Sequence, residues 1–231
     1  TETARLQNAL TYPLATRIIV PRCYQGKLPE HKTLRYNGYH ELSYLHPDYF
    51  KPDRDIALAN GLASHGDTFL IRLVSWKASH DVGLKGWGAE LLDAVVQHLT
   101  DRGHVIISAE GELPAHLEPF RYGGDAAQIH HLIGHCRACL GESATMASEA
   151  VAMGVPGIYA APSYRGYITE QQDQYGIAAF VPQPSTEAIT EKINHFMGLT
   201  KYELDARHKK LLHECVDVTE FISNTLQDIA S

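Results

Sequence analysis

The chain has 231 residues, a formal net charge of -7, 44% hydrophobic and 20% charged residues, which suits an ordinary globular protein of one large or two small domains with a real core. Only 20 Lys and Arg stand against 27 acidic residues, which argues against nucleic-acid binding, and no window approaches the roughly 18 consecutive apolar residues of a membrane helix. Four scattered cysteines, Cys23, Cys136, Cys139 and Cys215, do not make a disulfide scaffold, and TETARLQNAL has neither a basic n-region nor an apolar h-region; both point to a reducing, cytoplasmic setting. Because it begins at Thr1 rather than Met, the chain is expected to be a processed product or a segment of something longer.

In chain order, residues 5–15 read as the end of a helix and 17–21 (RIIVP) as a strand stopped by proline. A tyrosine- and proline-rich stretch follows from Cys23, expected to act as a packed linker as far as residue 66. Residues 68–75 (TFLIRLVS) predict a buried strand, then come a glycine-containing loop, a helix over 89–99, a closing Gly103 and a strand over 104–109. Residues 125–135 predict a helix, 137–141 a short strand, 144–153 a helix, 155–160 a strand and 178–181 another. Helices over 186–199 and within 203–226 complete the chain. Strands alternating with helices of this length indicate a parallel sheet, hence a Rossmann-like α/β domain flanked by helices.

In such a sheet ligands collect at the carboxyl ends of the strands, where helix N-termini present unpaired N–H groups. LGESATMASEAVAMG lies at one such end. Ser143 is a natural N-cap, and Met146 three residues later leaves no capping-box carboxylate over the N–H groups. Gly141, Ser143, Ala144 and Thr145 therefore favour a phosphate, while Glu149, one turn beyond Thr145, could accept from vicinal ribose hydroxyls. The plain alternative is a cap and a solvated acid. GESAT also resembles a nucleophile elbow, but Thr145 stands where that motif has its last glycine.

Other strand ends add candidates. Lys77, His80 and Lys85 in SWKASHDVGLKGWG could face phosphate, with Ser75 a further candidate nucleotide contact, although G-x-x-G-x-G is not the dinucleotide fingerprint. Glu110 after the second strand and Glu142 in the turn are candidate acids or bases. Gln171 and Gln172 are groups that suit sugar hydroxyls. His130, His131, His135, Cys136 and Cys139 have some metal-ligand character, but Cys139 falls in a different element and no second CxxC exists, so no metal is expected.

HHLIGHCRACLGESATMASEAVAMGVPGIY resembles the C-terminal domain of GT-B glycosyltransferases and of the related UDP-N-acetylglucosamine 2-epimerases. YNGYHELSYLHPDYF, LVSWKASHDVG, VIISAEGELP and GESATMASEA together resemble an archaeal and bacterial family with a predicted GT-B fold. The resemblance implies that Gly141, Ser143 and Thr145 approach a diphosphate and Glu149 a ribose, and that Gln171 and Gln172 match a pair contacting the donor sugar in the lipid II-forming N-acetylglucosaminyltransferase. The histidine-arginine-glutamate motif of the 2-epimerases is absent, SWKASHD standing in its place. The expected organisation is residues 1–22 as the end of a missing N-terminal domain, 23–66 as linker, and 67–231 as the C-terminal half of a GT-B fold. The expected function is binding a UDP-type nucleotide-sugar for a glycosyltransferase with no obligatory metal. The other GT-B domain would come from the same gene, a separate chain or a homo-oligomer. A sugar-nucleotide epimerase or hydrolase, with Glu110, Glu142 or His80 acting on the sugar, and a non-catalytic binding module are the alternatives.

Overall fold

The computed structural model describes residues 4–75 and 86–230. Helix α1 (Arg5–Thr11) leads through a single 3-10 turn to β1 (Ile18–Pro21), which pairs in parallel with β2 (Thr33–Tyr36). Short helices α2 (Leu42–Leu45) and α3 (Arg54–Ala59) precede β3 (Thr68–Leu73), α4 (Ala89–Thr100) and β4 (His104–Ala109). Then come α5 (Ile129–Ile133), β5 (Ala138–Gly141), α6 (Ala144–Ala152), β6 (Gly157–Ala160), α7 (Gly166–Glu170), β7 (Ala178–Val181), α8 (Thr186–Met197), α9 (Lys201–Glu214) and α10 (Val218–Ala230). Among the described residues no helix is long and apolar enough to cross a membrane.

Strands β3 to β7 form one parallel sheet in the order β4-β3-β5-β6-β7. Both faces must be covered, which explains the continuous apolar runs FLI, VII and ACL rather than alternation. Ile71, Ile107, Leu140, Ile158 and Ala179 point to one face and pack on α4 and α8. Leu70, Ile106 and Cys139 point to the other, against α3, α5 and α6. Each such leucine or isoleucine stabilises the fold by roughly 1.5–3 kcal/mol when fully buried. The chain is thus an α/β, Rossmann-like protein, as the alternating pattern predicts.

Residues 23–66, expected as a packed linker, put their aromatics into the body. Tyr36, Tyr39, Leu42 and Leu45 are buried in one cluster with Ala147, Val151, Tyr159, Leu211 and Val218. The tyrosines also reach out individually: Tyr39 Oη donates to Glu170 at 3.0 Å, Tyr44 Oη to Glu149 at 2.9 Å, and Tyr49 Oη to Asp217. The expected helix over 125–135 is split into a 3-10 turn, capped by Asp125, and α5. The 203–226 region breaks at Cys215, whose φ of -86° and ψ of 147° are extended, and the next N–H, of Val216, donates to Asn37 O.

Glu41 from this packed segment is buried, and its carboxylate meets Ser148 on α6. Burial pushes it up to about 7 from the ordinary 4.5, with the Ser148 hydrogen bond opposing and Glu149 adding repulsion. Tyr36, Tyr44 and Tyr167 are its other titratable neighbours. The folded state therefore holds a proton that the unfolded chain releases near pH 4.5. Stability from this group is full below that pH and falls, by about 3 kcal/mol at most, as pH rises through 7. Glu41→Gln should flatten that decline in denaturant titrations taken at pH 5 and pH 8; an unchanged pH profile would contradict this account.

Candidate functional site

The sheet order places the topological switch point between β3 and β5, because β4 lies on one side of β3 and β5 to β7 on the other. Connections leave the sheet in opposite directions there, opening a crevice at the carboxyl ends of the strands. The register sets a row of residues across this rim: Ser108, Arg72, Gly141, Tyr159 and Phe180 on adjacent strands. Tyr159 and Phe180 stack with centroids 5.6 Å apart.

Gly141 ends β5 with φ +137°, and a Cβ there would meet Arg72 O at 2.1 Å. Only glycine allows this approach of the two backbones. The next N–H, of Glu142, donates to Arg72 O at 2.8 Å. Ser143 then caps α6, its hydroxyl accepting from Met146 N–H at 3.2 Å, as expected from the sequence. Ala144 is buried and Thr145 exposed at the first turn.

Glu149 is on the same helix, its side chain 12% exposed. Its Oε1 accepts from Tyr44 and lies 3.1 Å from His130 Nε2. Both partners come from elements that sequence spacing could not bring to α6, one from α2 and one from α5.

The two other acids have definite tasks. Glu142 is buried, one oxygen accepting from Val74 N–H at 2.9 Å and the other from Trp87 N–H. One carboxylate thus ties the end of β3 to the entry of α4, each oxygen accepting from one backbone N–H. Glu110 accepts from Ser75 N–H at 3.0 Å and pairs with Arg72 at 2.5 Å. The Ser75 N–H, with Arg72 adding to it, holds the Glu110 carboxyl below its ordinary value. It is therefore ionised near neutrality and a weak base. Arg72 also donates to Ser108 Oγ at 2.9 Å. Sequence reading missed Arg72, although a single cation inside the apolar run TFLIRL is a visible signal. Arg72→Met should raise the Glu110 carboxyl part of the way back towards its ordinary value, read by carboxyl NMR titration; no movement would remove Arg72 from this account.

Gln171 and Gln172, expected at a donor sugar, both make hydrogen bonds within the protein. Gln171 is fully buried in a π-helical turn (Gln171–Tyr175) and donates to Ser148 Oγ at 2.8 Å. Gln172 Oε1 accepts from Phe180 N–H at 2.8 Å. Their amides hold this turn to α6 and β7, a packing task that a side-chain inventory cannot distinguish from sugar binding. Ser75 is exposed beside Glu110, whereas Lys77, His80 and Lys85 lie outside the described residues.

A cavity of about 390 Å³ opens at the same strand ends, bounded by Trp87, Gly88, Glu142, Ala160, Ala161 and Pro162. Trp87 Nε1 donates to Ala160 O at 2.9 Å and fixes one wall. Among the described residues no group of three or more His, Cys, Asp or Glu is placed to hold a metal. His131 instead accepts from Asp53 N–H, and Cys136 and Cys139 are buried thiols.

No protein-family model and no curated protein sequence matches the chain. Solved structures do. The wall teichoic acid polymerase TagF soaked with CDPG aligns with a TM-score of 0.55 and 13% identity, over 99% of this chain and 61% of that one. The UDP-GlcNAc 2-epimerase of Methanocaldococcus jannaschii, in complex with UDP-GlcNAc and UDP, gives 0.51 and 12%, over 75% and 50%. The spinosyn rhamnosyltransferase SpnG gives 0.50 and 16%, over 68% and 43%. The chain therefore spans between 43% and 61% of the length of these structures. With its five parallel strands, helices on both faces and switch-point crevice, the chain has the fold of one Rossmann-like half of a GT-B protein.

Proposed function

We propose that the chain binds a nucleotide-sugar of UDP type as the donor-binding half of a glycosyltransferase. The observation that carries this reading is the N-terminus of α6 at the switch point, capped by Ser143 alone, with Glu149 on the same helix. N–H groups of Ala144 and Thr145, the Ser143 and Thr145 hydroxyls and the close turn at Gly141 suit a diphosphate. Glu149, already an acceptor for Tyr44, is set to take ribose hydroxyls. Ser75, Lys77 and His80 are the candidates for the remaining donors and for positive charge at the leaving group.

In this reading the acceptor's hydroxyl oxygen bonds to the anomeric carbon of the sugar. The bond from that carbon to the diphosphate oxygen breaks, its electron pair leaving with the nucleoside diphosphate. The hydroxyl proton passes to a base on the second GT-B domain, encoded in the same gene or supplied by another chain. This half contributes electrostatic stabilisation of the leaving diphosphate, with no metal required. Exposed leucines on α1 and the 3-10 turn after it, Leu6, Leu10 and Leu14 at 76%, 66% and 88% exposure, support a neighbour there.

Glu110 and Glu142 enter as positioning residues. One is held ionised by Ser75 N–H and Arg72, and the other is occupied by two backbone donors. That weighs against an epimerase or hydrolase working on this chain alone. Calorimetry with UDP tests the proposal. Micromolar binding that persists in a chelator is expected, and no heat of binding at millimolar UDP would remove its basis. Turnover of UDP-N-acetylglucosamine by the isolated chain would favour the epimerase or hydrolase alternative instead.

A further inference from the structure

A second cavity, about 960 Å³, lies between α1, the segment after β1 and the loop after β6. Its size exceeds what a monosaccharide fills and falls at the upper end for small-ligand sites. The walls include the rings of Tyr12, Pro13, Pro29 and Tyr164. Flat apolar rings of this kind pack on the C–H faces of sugars, burying area without demanding a donor or acceptor at each position.

The charge of the lining is unlike that of the chain. Lys27, His31 and Lys32 line the cavity, and among the described residues no aspartate or glutamate does, in a protein of net charge -7. Lys32 Nζ donates to Pro13 O at 2.8 Å, which uses one of its three protons and fixes the ammonium at the rim. Tyr12 Oη and Tyr24 Oη meet at 2.9 Å, and Gly26 lies so close to the Tyr24 ring that a Cβ would sit 2.5 Å from it. The segment carrying Lys27 is thereby folded against Tyr24, which meets Tyr12 of the 3-10 turn after α1.

Position relative to the crevice gives the cavity its meaning. Ala160, Ala161 and Pro162 line the cavity at the strand ends, and Tyr164, two residues on, lines the larger one. One short loop thus borders both spaces.

We propose that the larger cavity is a subsite for an anionic carbohydrate, a phosphorylated or carboxylated sugar or polyol, which serves as acceptor for the donor held at α6. The acceptor role rests on the nucleotide-sugar reading; the ligand class rests on the lining alone. Tyr12 and Tyr164 hold the carbon skeleton, and Lys27, His31 and Lys32 hold the anionic group.

The test titrates the full chain with glucose 6-phosphate, glucose and inorganic phosphate, and separately with UDP. Glucose 6-phosphate should bind at least about tenfold more tightly than glucose or phosphate alone, a difference of about 1.4 kcal/mol. Lys27→Glu, an exposed position, should weaken that binding about tenfold or more, and Tyr164→Ala should weaken it too, both with UDP affinity unchanged. Equal binding of glucose 6-phosphate and phosphate would reduce the site to charge attraction and overturn the proposal. So would no glucose 6-phosphate binding in the millimolar range, or wild-type affinity in Lys27→Glu. Sugar-phosphate binding in a protein that ignores UDP would instead remove the nucleotide reading, and the acceptor role with it, while leaving the ligand class standing.

Discussion

Replacing Glu149 by alanine is expected to weaken UDP binding by about 10- to 100-fold, the loss of one or two charge-assisted hydrogen bonds to ribose hydroxyls. The residue also accepts from Tyr44 and faces His130, so a loss of affinity alone would not separate contact from scaffold. Discrimination between UDP and its 2′-deoxy analogue separates them. The wild-type chain should prefer UDP by about tenfold, and Glu149→Ala should bind both equally. Tyr44→Phe, which removes one partner of Glu149 but not the carboxylate, should keep the preference. A Glu149→Ala protein that still prefers UDP would place the ribose elsewhere.

The largest effect on stability is expected at Gly141. Alanine there would place a methyl 2.1 Å from Arg72 O, at a φ of +137° that side chains rarely adopt. Neither obstacle relaxes alone, because β3 and β5 are held in register at this point, Arg72 against Gly141. A loss of about 3 kcal/mol or more is expected in urea unfolding. Gly111 is the control, since a Cβ there meets nothing within 4 Å and its φ is not in the left-handed region. Gly111→Ala should unfold close to wild type. If Gly141→Ala did the same, the tight closure between the two strands would not be a requirement of the fold.

The strands and long helices were legible because each carries its period locally. TFLIRL, HVIISA and GIYA are apolar runs bounded by glycine, proline or polar residues, and α4 shows its buried face as Leu92, Val95, Val96 and Leu99. The cap at Ser143 was legible for the same reason, being a matter of four consecutive residues. What escaped was tertiary. TLRY carries no pattern that announces a parallel partner fifteen positions earlier, so β2 was absorbed into a linker. The buried Glu41 and Ser148, and the inward turn of Gln171, depend on a helix and a loop meeting across the fold. A glutamine that holds a π-helical turn and one that holds a sugar look identical in one dimension. The partners of Glu142 escaped for a related reason: its two N–H donors lie 68 and 55 residues away.

The tyrosine-rich segment also sets the order in which the molecule can assemble. Asn37 reaches Glu214, Tyr39 reaches Glu170, Tyr44 reaches Glu149 and Tyr49 reaches Asp217, closures of 177, 131, 105 and 168 residues. Contacts of such sequence separation form late, because the entropy of closing each loop is lost before the contact returns anything. The sheet with α4 and α6 can condense first from neighbouring segments. Residues 36–50 and helices α9 and α10 then have to find each other across more than 160 residues. Folding is therefore expected to include a slow docking phase, and until α9 and α10 dock, Tyr36 and Tyr49 lack Phe221 and Asp217, their partners on and just before α10.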